Sequence, residues 1–181
     1  MKRIDKFTTP DGYTSDIAVF TITSESNGEY KPPIKKLKIM LIKRSEQDHE
    51  GNANIEAGKW ALPGGFVRPE ETAFQAAERR LLEETGVDGL RMKHFGVYDS
   101  PSRDKRGWII SNAHYVIANE AALKKRQTTY DASDIQLFTL EEAIALNLAF
   151  DHRTIIDDAL WFIKKDMALT TLAKHFLPEE F

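Results

Sequence analysis

The stretch GFVRPEETAFQAAERRLLEETGV, residues 65–87, decides how this chain is read. Apolar side chains at Phe74, Ala77, Leu81 and Leu82 predict a helix over Thr72 to Thr85 with one buried stripe, and Gly86 stands where a glycine ends such a helix. Ahead of it, Pro63-Gly64-Gly65 suits a tight backbone turn. Arg80, Glu83 and Glu84 are spaced i, i+3, i+4 and so project from one helix face, while Glu70 and Glu71 sit at the helix entrance. Two adjacent carboxylates on a rigid helix, with a third at its mouth, make an oxygen-rich site suited to Mg²⁺. That ion takes one or two protein carboxylates and fills its octahedron with water and substrate phosphate. Taken alone, the same pair also reads as a solvated helix face, with Arg79 as the i,i+4 partner of Glu83.

The spacing weighs against the solvated face. It resembles the Nudix box, G-x5-E-x7-R-E-U-x-E-E-x-G-U with U aliphatic, whose positions fall here on Gly65, Glu71, Arg79, Leu81, Glu83, Glu84, Gly86 and Val87. The resemblance implies Gly65, beside Gly64, for the turn against the substrate, Glu71 and Arg79 as residues that orient the helix, and Glu83 and Glu84 as ligands of Mg²⁺ or Mn²⁺. The box does not fix the general base. One position departs: Arg80 stands where the family has Glu. That exchange shifts the local charge by two units. At about 6 Å and an effective dielectric near 20, each unit is worth on the order of 5 kcal/mol against Mg²⁺ before solvent and side-chain movement reduce it. Metal affinity is expected to fall, unless Arg80 swings into solvent and Glu78 or Glu84 covers the loss.

Outward from the box, Thr14 to Thr23, Leu37 to Lys43, Lys59 to Leu62, Lys93 to Tyr98, Trp108 to Ala118 and Ile135 to Phe138 read as strands. Leu140 to Leu146 and about Arg153 to Ala168 read as further helices. This order, without a regular βαβ alternation, predicts an α+β chain, an α/β/α sandwich around a mixed sheet. The expected organisation is a Nudix domain over 1–150 and a helical extension over 151–181. The 181 residues contain no Cys, which removes disulfides, thiolate metal sites and a Cys nucleophile and fits a reducing, cytoplasmic setting. No run approaches a membrane span, and a net charge of −3 gives no general attraction to a polyanion.

Three further features bear on function. In Ser100-Pro-Ser-Arg103-Asp-Lys-Arg106-Gly-Trp108, a loop between two strands, Arg103 and Arg106 can meet a diphosphate through their planar forks. The segment resembles one in ADP-ribose pyrophosphatases and in Nudix-related transcriptional regulators of NAD metabolism, which implies substrate binding for both arginines. Asp131 and Asp134 can orient a water toward phosphorus or cap a turn, with the cap favoured, and His152 reads as a packed or capping histidine before a catalyst. Leu148-Ala-Phe-Asp-His152, with the helix after it, resembles the junction where those regulators pass to a winged helix-turn-helix. The resemblance places a Mg²⁺-dependent hydrolase of ADP-ribose, giving AMP and ribose 5-phosphate, first. An ADP-ribose-sensing domain that reports to DNA through a domain outside this chain comes second. In either case a homodimer, a nucleotide ligand, no membrane and no DNA contact by this segment are expected.

Overall fold

A computed structural model describes residues 9–47, 51–128 and 132–176. In chain order the elements are β1 (Gly12–Glu25), β2 (Ile34–Arg44), β3 (Trp60–Ala61), β4 (Gly64–Phe66), α1 (Ala73–Thr85), β5 (Lys93–Tyr98), β6 (Ile109–Ala118), α2 (Glu120–Leu123), β7 (Ala132–Thr139), α3 (Leu140–Ala145) and α4 (His152–Phe176). The strands form one seven-stranded mixed sheet along β3-β2-β1-β6-β5, with β4 on β1 and β7 on β2. The β1–β6 pairing is parallel, with Ile17 opposite His114, and the other strand pairs are antiparallel.

Strand β1 is covered on both faces, and its alternation divides the core. Ile17 and Val19 pack with Met40, Ile42, Ala77 and Leu81, under α1. Ala18 and Phe20 pack with Ile39, Leu41, Ala143, Ile155, Ile156 and Ala159, under α3 and α4. The result is the α/β/α sandwich, and the first turns of α4 are part of its core.

Helix α1 is fixed at both ends. Thr72 accepts a hydrogen bond from the Gln75 backbone while the Gln75 side chain accepts one from Thr72, and Gly86 adopts the left-handed φ of 67° with its N–H donating to Leu82 O. Two expectations change. Ala76, Ala77, Leu81, Glu84 and Thr85 form the buried face of α1, whereas Phe74 and Leu82 are 39% and 48% exposed. Leu82 lies one residue, about 100°, around the helix from Leu81, and only one of them can face the sheet. Gly64 and Gly65 lie in a strand and not in a tight turn, and they are glycines because of space. A Cβ at Gly64 would meet Asp16 Oδ1 and the Ser15 carbonyl, and one at Gly65 would stand 2.6 Å from Arg80 Nε.

Leu81→Ala should lower unfolding stability in a denaturant titration by about 3 kcal/mol, through lost burial and a residual cavity. Leu82→Ala should stay within about 0.5 kcal/mol, and equal losses at both positions would contradict this assignment of helix faces.

Candidate functional site

Strand β4 runs antiparallel to β1 and carries the chain across the face of α1, so the box closes on itself as a loop tied to a helix. The tie is Arg79. Its Nε and Nη2 donate to the two oxygens of Glu71 at 2.5 and 2.9 Å, Nη1 donates to Glu83 at 2.8 Å, and Nη2 also reaches Phe66 O at 3.0 Å. One planar fork thus joins the loop entrance, β4 and the third turn of α1. Glu71 also accepts the Arg68 N–H at 3.0 Å. Arg79 is the main reason its carboxyl pKa is held down to about 2.

Arg80 makes the second tie. Its Nε donates to Gly64 O at 3.2 Å, Nη1 to Glu83 at 3.2 Å and Nη2 to Glu84 Oε1, while Glu84 Oε2 accepts the Gly64 N–H at 2.8 Å. Glu84 is 3% exposed and the Arg80 side chain 17%. The carboxylates of Glu83 and Glu84 do converge, and the group they converge on is the Arg80 guanidinium. Among the described residues no set of three or more His, Asp and Glu side chains is gathered in a way that would hold a metal. The donor set expected for Mg²⁺ or Mn²⁺ is therefore engaged by a cation of the chain itself, and in this arrangement it does not fit a divalent ion.

Around this corner lies a cleft of about 390 Å³, lined by Gly64, Gly65, Phe66, Glu84, Asp16 and Phe150 among others. Six arginines, at 44, 68, 79, 80, 103 and 106, line it against three carboxylates, Asp16, Glu84 and Asp104. Arg103 and Arg106 both reach the cleft, and neither is a loose surface cation. Arg103, with a side chain 3% exposed, donates to Asp151 at 2.9 and 2.6 Å and lies 3.7 Å from Asp16. Arg106 is held by Asp104 at 2.6 to 3.1 Å and stacks over Phe66 and Phe150, with ring centroids 4.8 and 5.2 Å away. Arg44 covers Phe150 at 5.1 Å. Phe150 has a positive φ of 52°, a strained conformation for a bulky side chain held here by the packing around it.

The cleft thus gathers Gly65, Arg79, Arg80 and Glu84 of the box, while Glu71 and Glu83 bind its walls through Arg79 and Arg80. Asp16, Arg44 and Phe150 went unassigned in the sequence because nothing local marks them; pairing of β1 with β4 and β6 brings Asp16 in. His152 is buried, accepts the Leu62 N–H through Nδ1 at 2.9 Å, and has its pKa lowered by that burial. It packs as expected, with Nε2 3.8 Å from Asp16. Asp134 turns inward on its own strand, accepting from Ile135 N and Gln136 Nε2, and Asp131 lies outside the described residues.

A mixed sheet between helices, with a glycine strand and a carboxylate helix closing on an arginine-rich cleft, is the frame that holds the site. The NUDIX domain model matches residues 13–159, and the chain belongs to that family. It is 29% identical over 170 residues to the ADPR responsive transcriptional repressor NtrR of Acinetobacter baylyi, covering 93% of this chain and 60% of that one. It is 40% identical over 124 residues to the ADP-ribose pyrophosphatase of Methanocaldococcus jannaschii, covering 68% and 66% respectively. The chain thus spans less than two thirds of either relative. The crystal structure of a mutT/nudix family protein from Listeria innocua is 50% identical, with a TM-score of 0.74 over 90% of this chain and 99% of that one.

Two outcomes follow from the pairings. The Glu71 carboxylate is stabilised in the fold, so its contribution is present above pH 4.5 and is lost as pH falls toward about 2. Glu71→Gln should therefore unfold earlier than the parent in denaturant at pH 7, with the gap closing between pH 4.5 and about 2; a gap unchanged at low pH would remove the ion pair as its cause. Arg103→Ala should cost on the order of 3 kcal/mol by leaving Asp151 and Asp16 without their cation, measured by the same titration.

Proposed function

We propose that this domain binds ADP-ribose, or a nucleoside diphosphate sugar close to it, in the arginine-lined cleft, and acts as a ligand-sensing domain. The observation that carries the proposal is the excess of guanidinium groups over carboxylates in one cleft bounded by the box. Planar arginine forks suit the paired oxygens of a diphosphate. The Arg44 pKa is lowered first by burial and next by the charge of Arg106, a strain that an anion between them relieves. The names of both curated relatives, one an ADPR-responsive repressor and one an ADP-ribose pyrophosphatase, support the same ligand.

Hydrolysis is the second reading, favoured by the intact tie from Glu71 through Arg79 to Glu83 and by the 40% identity to the pyrophosphatase. Nudix hydrolases generally use a divalent metal, and the place of Arg80 puts this reading behind the first. In the sensing reading the arginines and the Gly64–Gly65 strand orient the diphosphate, and Phe66 and Phe150 offer flat apolar surface beside it. The cytoplasmic setting, a homodimer, a DNA contact through a domain outside this chain, and a division near residue 150 belong to the same proposal.

Incubation with ADP-ribose and Mg²⁺ or Mn²⁺, with AMP followed by chromatography and binding by titration calorimetry, separates the readings. Saturable binding without AMP is expected. Steady AMP release would make the chain a pyrophosphatase that tolerates Arg80, and absence of binding heat would sink the ligand assignment.

A further inference from the structure

We infer that Arg80 is the resident cation of this cleft, standing where the box residues would gather a divalent ion, so that a diphosphate is received without metal. The ligand half of this inference rests on the proposed binding of a nucleoside diphosphate; the metal half does not.

Three observations carry it. Both oxygens of Glu84 are engaged, one by the Gly64 N–H and the other by Arg80, in a side chain that is 4% exposed. An ion bound to Glu84 would need one of those oxygens at about 2 Å, and would have to enter volume that the guanidinium now fills. Arg80 also donates to the Gly64 carbonyl and to Glu83, so a single side chain answers three acceptors facing one point. Finally, the backbone makes room for it. A Cβ on residue 65 would lie 2.6 Å from Arg80 Nε and 3.1 Å from its Cδ, so the glycine at the start of the box is what lets the arginine lie flat against β4. A side chain free to swing into solvent would need none of this. Electrostatically, one positive charge between two carboxylates leaves the corner less neutralised than a divalent ion would, and Arg79, which also donates to Glu83, adds a second.

The test needs no nucleotide in its first arm. Mn²⁺ binding is followed by the paramagnetic resonance signal of the unbound ion, for the parent, Arg80→Glu and Arg80→Gln. The parent is expected to show no saturable site at these residues, and Arg80→Glu to bind Mn²⁺ at least about tenfold more tightly. Parent binding as tight as that of Arg80→Glu overturns the inference. If Arg80→Glu fails to fold, because Glu84 then faces a further buried carboxylate, the parent and Arg80→Gln decide it by the same comparison. In the second arm ADP-ribose is titrated into the parent in EDTA and in excess Mn²⁺, with equal affinities expected. Binding that requires Mn²⁺ overturns the inference, whereas no binding in either condition sinks the ligand assignment and leaves the first arm to rule on the metal.

Discussion

Glu84 is a carboxylate with almost no access to water, placed on the face of α1 that packs against the sheet. An ionised carboxylate in such a place costs several kcal/mol unless a counter-charge and hydrogen bonds replace its hydration. The geometry around the cleft answers that cost. Strand β4 comes close enough for its Gly64 N–H to donate, which demands glycine where Asp16 and the Ser15 carbonyl press in. Gly65 then leaves the space in which Arg80 reaches the same carboxylate. The chain itself carries the counter-charge.

The second constraint is that six arginines share one cleft, and each needs an acceptor. Asp104 holds Arg106, Asp151 holds Arg103, and Asn54 with the Ile55 carbonyl holds Arg44. The Arg103–Asp151 pair lands on the residue just before α4 and the Leu62 N–H bond on its first residue, His152, so the cleft wall and the start of that helix are one hydrogen-bonded unit. Ile155 and Ile156, in the turn that follows, are buried in the core.

Much of this is legible in the sequence. The long strands showed themselves by apolar runs, and their ends shifted by only a few residues; the box spacing set α1, its capping glycine and the acidic pair on one face. What stayed hidden had physical reasons. Strand β4 has two glycines in three residues and no β-propensity to announce it. Leu82 shares its chemistry with Leu81, and only the sheet says which is buried. The burial of Arg103 left no local mark because its partner Asp151 lies 48 residues on. Asp16 and Phe150 enter the cleft through strand register and a strained backbone, which no local pattern records.

The central claim is that the guanidinium of Arg80 holds the place of the ion. Crystals grown with ADP-ribose and soaked in Mn²⁺, measured at a wavelength where manganese scatters anomalously, test it most directly. The account predicts nucleotide in the cleft, Arg80 still bonded to Glu83, Glu84 and Gly64 O, and no anomalous peak between those carboxylates. A peak there, with Arg80 displaced toward solvent, would contradict it.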